Sequence, residues 1–133
     1  MDSIANMFSQ LKNASFNKSK ETKVAYSKLN LKILTVLKNR GMVLDFQEEK
    51  NKDKKYPTAI LVKIKYKTNK EPFFTNIMRI SRSGKRVYIH HKDINQARRN
   101  RAEILVSTSK GLMSGSEAHQ KGLGGELIGK VQV

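Results

Sequence analysis

The sequence predicts a mixed α/β (α+β) fold in two small lobes: an N-terminal α-β-α-β-β lobe, then a mostly antiparallel β lobe with one short helix. Three observations carry this expectation. Ile4, Met7, Phe8 and Leu11 recur at i, i+3, i+4 and i+7, the period of one helix face. Ile60, Val62, Ile64 and Tyr66 alternate with Lys63, Lys65 and Lys67, the period of a half-buried strand. The polar stretch Thr68 to Pro72 then separates two halves, which sets the lobes at residues 1–70 and 71–133.

The first helix is expected over residues 2–14, with Asp2 or Ser3 as its cap. Residues 15–23 read as a loop and Val24-Ala25-Tyr26 as a short strand. Ser27 then caps a helix over 28–40, which buries Leu29, Ile33, Val36 and Leu37 and closes at Gly41. Met42 to Phe46 alternates as a strand with Met42, Leu44 and Phe46 inward, and Glu48 to Lys55 is a charged turn. Residues 58–67 are the clearest strand. In the second half, Phe73 to Ser81 is a strand, and Ser81-Arg82-Ser83-Gly84 turns it back into Lys85 to His90 as a hairpin. Asp93 to Gln96 is a short turn or helical piece, and the cationic loop Arg98-Arg99-Asn100-Arg101 leads to the apolar strand Ile104-Leu105-Val106. Ser114 and Glu117 have capping-box spacing for a helix over 115–121, and a last strand opens at Gly124-Gly125-Glu126.

Charge dominates the composition. The 133 residues hold 27 Lys and Arg against 11 Asp and Glu, a formal net charge of +16. Both halves are basic, so the excess is a property of the folded surface and points to a polyanion, nucleic acid before membrane. Six of the seven arginines follow position 78, which puts the forked donors suited to phosphates and bases in the second half. With no cysteine, thiolate chemistry and Cys-based zinc sites are excluded. No apolar run is long enough for a membrane span, and neither a secretory signal nor a transit peptide is expected. Catalysis is not expected either. Ser81-Arg82-Ser83-Gly84-Lys85 lacks the first glycine and the metal-binding hydroxyl of a phosphate loop, and His90 and His91 would face opposite ways on a strand.

The polar pentamer Ser107-Thr108-Ser109-Lys110-Gly111 emerges at the end of a buried strand. Its hydroxyls suit base edges, ribose hydroxyls and phosphates, Lys110 supplies a point charge, and Gly111 permits close approach. An ordinary polar turn is the other reading. Arg86, Tyr88 and His90 would share one strand face, an aromatic between cations of the kind that stacks on single-stranded RNA. Tyr88 packing against the neighbouring lobe is the alternative. Lys28 and Lys32, one turn apart on an exposed helix face, either contact RNA or are solvated.

Taken in order, these landmarks resemble the bacterial-type family of ribosomal protein eight of the small subunit. The resemblance rests on Asp2-x-Ile4-Ala5-x-Met7 with Asn13-Ala14, Ser27-Lys28-Leu29 through Ile33-Leu34 to Gly41, and Arg79-Ile80-Ser81-Arg82-x-Gly84-x-Arg86-Val87-Tyr88. It continues through Ser107-Thr108-Ser109-Lys110-Gly111-Leu112-Met113, Glu117-Ala118 and Gly124-Gly125-Glu126. It implies a structural protein of the small ribosomal subunit that binds an irregular stem in the central domain of the rRNA and supports assembly. It implies neighbouring small-subunit proteins as partners, no cofactor, and a ribosome of the bacterial cytoplasm or an organelle. Ser107, Thr108 and Ser109 would lie against the RNA minor groove, with Tyr88 and Glu126 nearby. Some relatives also bind their own operon's mRNA. A nonspecific basic RNA binder or chaperone is the rival that charge alone does not separate. The chain departs from the family at Ser3 and Ser83, where proline is usual, at His119, at its non-aromatic end, and at Asn100-Arg101-Ala102, where Gly-x-Gly is usual. Asn100 is expected to keep a left-handed bend there, which Ala102 fits less well.

Overall fold

The Asp2 carboxylate caps α1 (Ser3–Phe16), accepting from the N–H groups of Ile4 at 3.0 Å and Ala5 at 3.3 Å. In this computed structural model residues 2–53 and 55–133 are described. The chain divides into two units, Met1–Phe74 and Thr75–Val133. Residues 71–74, given above to the second lobe, pack with the first: the Lys67 N–H donates to the Glu71 carbonyl, Tyr66 pairs with Pro72, and Phe74 is buried.

In the first unit, Ile4, Met7, Phe8 and Leu11 are buried as their spacing predicts, each worth about 1.5–3 kcal/mol of apolar burial. β1 (Glu21–Ala25), β3 (Pro57–Lys63) and β2 (Asp45–Lys50) form an antiparallel sheet in that order. Helix α2 (Lys28–Asn39) is capped by the Ser27 hydroxyl, as expected. Its buried stripe is rotated from the expected one, to Asn30, Ile33, Leu34 and Leu37, while Leu29 is exposed. The reason is polar: the Asn30 amide donates to Ser3 Oγ at 2.9 Å and to the Ala25 carbonyl at 3.0 Å, tying α1, β1 and α2 together.

The strand expected over Met42 to Phe46 is displaced. Gly41, at φ +72°, ends α2 in a motif where the Met42 N–H reaches the Leu37 carbonyl and the Gly41 N–H that of Lys38. Met42 and Val43 are therefore both buried as part of the helix exit, Leu44 is 60% exposed, and the strand begins at Asp45. The charged turn expected from Glu48 starts later, since Glu48 to Lys50 belong to β2; Lys54 lies outside the described residues. Lys63 sits between Glu21 and Asp45 on the neighbouring strands, and the Lys65 ammonium lies 4.8 Å from the Phe73 ring centre.

In the second unit, β8 (Gly125–Gln132) is the central strand. β6 (Ala102–Thr108) runs along one edge of it, with β7 (Gly111–Ser114) outside β6. β4 (Asn76–Arg79) and β5 (Tyr88–Ile89) do not form the expected hairpin. Both pair with β8, end to end, at Asn76↔Gln132 through Arg79↔Gly129 and at Tyr88↔Glu126 with Ile89↔Gly125. Residues 82–86 are an excursion from that edge, closed by a pair of backbone bonds between Arg82 and Lys85. Helices α3 (Ile94–Ala97) and α4 (Gly115–Gln120) cover one sheet face, where Ile94, Ile104, Val106, Met113 and Ala118 form the core. α4 has the expected cap, Ser114 Oγ accepting from the Glu117 N–H. In the loop before β6 both Asn100 and Arg101 have φ of 62°. The awkward residue there is Arg101 rather than Ala102, which is already buried in the strand, and a left-handed arginine costs about 1–2 kcal/mol.

Candidate nucleic-acid interface

The pentamer is the tip of the β6–β7 hairpin. Thr108 pairs with Gly111, which leaves Ser109 and Lys110 at the turn, exposed. The Thr108 hydroxyl works inside the turn: it donates to the Gly111 carbonyl at 2.8 Å and accepts from the Lys110 N–H at 3.1 Å. Gly111 sits at φ +110° with open space where a Cβ would stand, so its role is conformational. Among the described residues, no side-chain hydrogen bond engages the hydroxyls of Ser107, half-buried on β6, and Ser109, exposed at the turn.

Pairing across the sheet gathers the other residues. Tyr88 on β5 faces Glu126 on β8, and Glu126 faces Ser107 on β6. Directly paired residues put their side chains on the same face. Tyr88, Glu126 and Ser107 therefore form one row across three strands, on the face opposite the Val106–Leu127 pair that belongs to the helix-covered core. Tyr88 is 71% exposed. Arg86 and His90 are exposed as well, but both lie outside the two-residue β5, so strand alternation does not set them on one face with Tyr88 as expected. Because β5 ends at Ile89, the rings of His90 and His91 do not point opposite ways; they lie 4.4 Å apart. No group of three metal-ligating side chains occurs among the described residues.

Glu126 is held from two sides. Its Oε2 accepts from the Ser81 hydroxyl at 2.5 Å and from Arg86 Nη1 at 2.8 Å. These bonds, Ser81 first, keep the Glu126 carboxyl below the ordinary glutamate range, and Arg86 in turn stays firmly protonated. The carboxylate thus places the guanidinium beside Tyr88 without adding a net charge there. Ser81 is fully buried and satisfied on both sides, since its Oγ also accepts from the Val87 N–H at 3.1 Å. It fastens the two ends of the 82–86 excursion to Glu126, a role that its place in a polar turn sequence does not reveal.

Ser81→Ala is expected to cost about 1–3 kcal/mol, the penalty of an orphaned buried partner. A depressed carboxyl pKa stabilises the fold above the ordinary glutamate value and loses that contribution as pH falls through the folded value. The variant raises the Glu126 pKa, so its acid unfolding should begin at higher pH. Urea midpoints across pH 3–7, with an NMR titration of the Glu126 carboxyl, check both parts.

Gly124 and Gly125 make the row possible. A Cβ on Gly125 would stand 2.1 Å from the Ser107 carbonyl oxygen, and one on Gly124 would stand 2.5 Å from that of Ile89. Backbones of three strands close together here, directly beneath the hairpin tip. The sequence shows the glycine pair but not what it approaches. Lys28 and Lys32 are exposed on α2 of the first unit.

The chain matches the family described as Ribosomal protein S8 over residues 2–132. It is 36% identical over 130 residues to the small ribosomal subunit protein uS8 of Wolbachia sp. subsp. Brugia malayi, covering 98% of this chain and 96% of that one. It is 39% identical over 127 residues to the protein of the same name from Nitrosomonas europaea, covering 96% and 94%. It is 35% identical over 128 residues to the small ribosomal subunit protein uS8c of Gracilaria tenuistipitata, covering 96% and 95%.

Proposed function

The chain belongs to the ribosomal protein S8 family, and from that premise we propose which of its atoms meet the RNA. As a family member it is a structural constituent of the small ribosomal subunit, an rRNA-binding protein and not an enzyme. No helix among its described residues is long and apolar enough to cross a membrane. The finer reading is that the C-terminal unit recognises an irregular stem in the central domain of small-subunit rRNA. Ser107 and Ser109 donate to ribose hydroxyls and base edges in the shallow minor groove, Tyr88 stacks on an exposed base or sugar, and Arg86 and Lys110 meet phosphates. Thr108, Gly111 and Glu126 hold the presenting geometry. Lys28 and Lys32 add salt-sensitive attraction from the N-terminal unit. Neighbouring small-subunit proteins are the remaining partners, and a stem of the same shape in the operon's mRNA would take the same face.

The observation that carries this reading is the row Tyr88–Glu126–Ser107 beside a hairpin tip that exposes Ser109 and Lys110. The test is competition binding at fixed salt between the central-domain stem and random duplex RNA. A specific binder separates them by several kcal/mol, about 4–10 by analogy with DNA readers. Ser107→Ala with Ser109→Ala should weaken the specific complex by about 1–3 kcal/mol, two neutral hydrogen bonds, at unchanged stability. Thr108→Ala should instead loosen the hairpin and lower stability first. Wild-type affinity in the double serine variant would remove the hydroxyls from the mechanism. Equal binding of both RNAs would favour a nonspecific basic binder.

A further inference from the structure

Three helices of this chain end with the same backbone motif, and one of them breaks its rule. After α2 and α4 the closing left-handed position is glycine, Gly41 at φ +72° and Gly122 at φ +65°. After α1 it is Lys18 at φ 57°, with the Ser19 N–H on the Ala14 carbonyl and the Lys18 N–H on that of Ser15. The tight turn between Lys67 and Glu71 repeats the substitution. Its left-handed residue is Lys70 at φ 68°, whereas the turns at residues 82–85 and 108–111 use Gly84 and Gly111. A side chain in this conformation is strained, and such strain collects at binding sites. The two lysines are fifty-two positions apart in sequence, yet they line one pocket of about 220 Å³ together with Tyr66.

Tyr66 is fixed before any ligand arrives. Its hydroxyl bonds the carbonyls of Ser19 at 2.5 Å and Ala14 at 3.3 Å, the backbone that carries Lys18. Burial pushes its pKa up, so it stays neutral. The pocket wall is mainly apolar, built from Tyr66 and the stems of the two lysines, which suits a flat uncharged group better than a bare anion, and an ammonium at the end of each stem can reach a phosphate attached to it. The volume is below the roughly 300–1,000 Å³ of pockets that enclose a whole small molecule, so it takes a part of one.

We propose that the Lys18–Tyr66–Lys70 pocket of the N-terminal unit holds one unstacked nucleotide of an RNA strand, its base or sugar against Tyr66 and its phosphate between the lysines. This rests on the reading of the protein as an RNA binder and adds a second contact, independent of the hairpin tip. Aromatic stacking with paired cations is the sequence-tolerant mode by which single strands are held.

The test is an NMR titration of the full chain with a short single-stranded oligoadenylate, adenosine monophosphate, inorganic phosphate and the central-domain rRNA stem. The oligoadenylate should shift Lys18, Tyr66 and Lys70 while leaving Ser107 to Gly111 in place, and inorganic phosphate should do far less. The double variant Lys18→Gly, Lys70→Gly should bind oligoadenylate about tenfold or more weakly, since charge-assisted contacts are lost. It should also melt at a higher temperature, because glycine relieves both left-handed positions. Weaker binding in a more stable protein separates a lost contact from a lost fold. A silent pocket under oligoadenylate, an equal response to phosphate alone, or a response to the mononucleotide only would overturn the proposal. If the stem shifts Ser107 to Gly111 while the pocket stays silent to every ligand, this inference fails and the rRNA reading stands. If the pocket responds and the stem leaves the hairpin tip unmoved, the rRNA reading fails instead.

Discussion

Gly125→Ala is expected to destabilise the protein by about 3 kcal/mol, the upper part of the range for overpacking. The added methyl would lie 2.1 Å from the Ser107 carbonyl oxygen and 3.2 Å from the Thr108 Cα. Both obstacles are backbone, so no rotamer change relieves them. The only relief is to part β8 from β6 where Glu126 faces Ser107, and that movement dismantles the row that presents Tyr88 and the hydroxyls. The urea midpoint should fall, and the protein that still folds should bind the rRNA stem more weakly than its folded fraction accounts for. Gly111→Ala is the control, because its methyl meets open space and only the backbone angle resists it. An unchanged midpoint for Gly125→Ala would show that the strands are not closed as tightly as described.

Tyr88→Ala should behave in the opposite way. At 71% exposure the ring contributes little to folding, so stability should stay within about 0.5 kcal/mol. Affinity for the stem should drop by about 1–3 kcal/mol, roughly 5- to 150-fold, if the ring stacks on the RNA. Thermal melts and competition binding on the same preparation separate the two quantities. A variant that loses stability and keeps its affinity would assign Tyr88 to packing.

The elements written by local chemistry were legible. The α1 stripe, the Ser27 and Ser114 caps, and the buried Ile60 and Val62 of β3 all depend on residues within one turn or one strand. The strand expected over 58–67 nevertheless ends at Lys63, and Tyr66 pairs with Pro72 instead. What failed depends on partners distant in sequence. Met42-Val43-Leu44-Asp45-Phe46 alternates well enough to read as a strand, but a helix exit takes its first two residues into the core. β2 itself, Asp-Phe-Gln-Glu-Glu-Lys, has one apolar side chain and is held as an edge by β3 and by ion pairs such as Lys23–Glu49 at 3.0 Å. The hairpin expected around Ser83-Gly84 has its turn, but its strands pair with β8, from Ile89↔Gly125 to Asn76↔Gln132, far onward in the chain. The exposed members of the candidate interface were readable because they are polar or aromatic in conspicuous places. The parts that aim them, buried Ser81 and the Gly124-Gly125 wedge, were not, because their work is done against backbone that the sequence does not place.

The excursion at residues 82–86 has a practical consequence. It departs from and rejoins a single strand edge, and Ser81 pins both ends. Extra residues grafted after Gly84 would therefore lengthen a surface bow without shifting the register on either side, as exposed loop tips generally tolerate. A fluorophore or crosslinker carried there would sit on a solvent-exposed bow at the rim of the candidate interface and would follow the protein through subunit assembly.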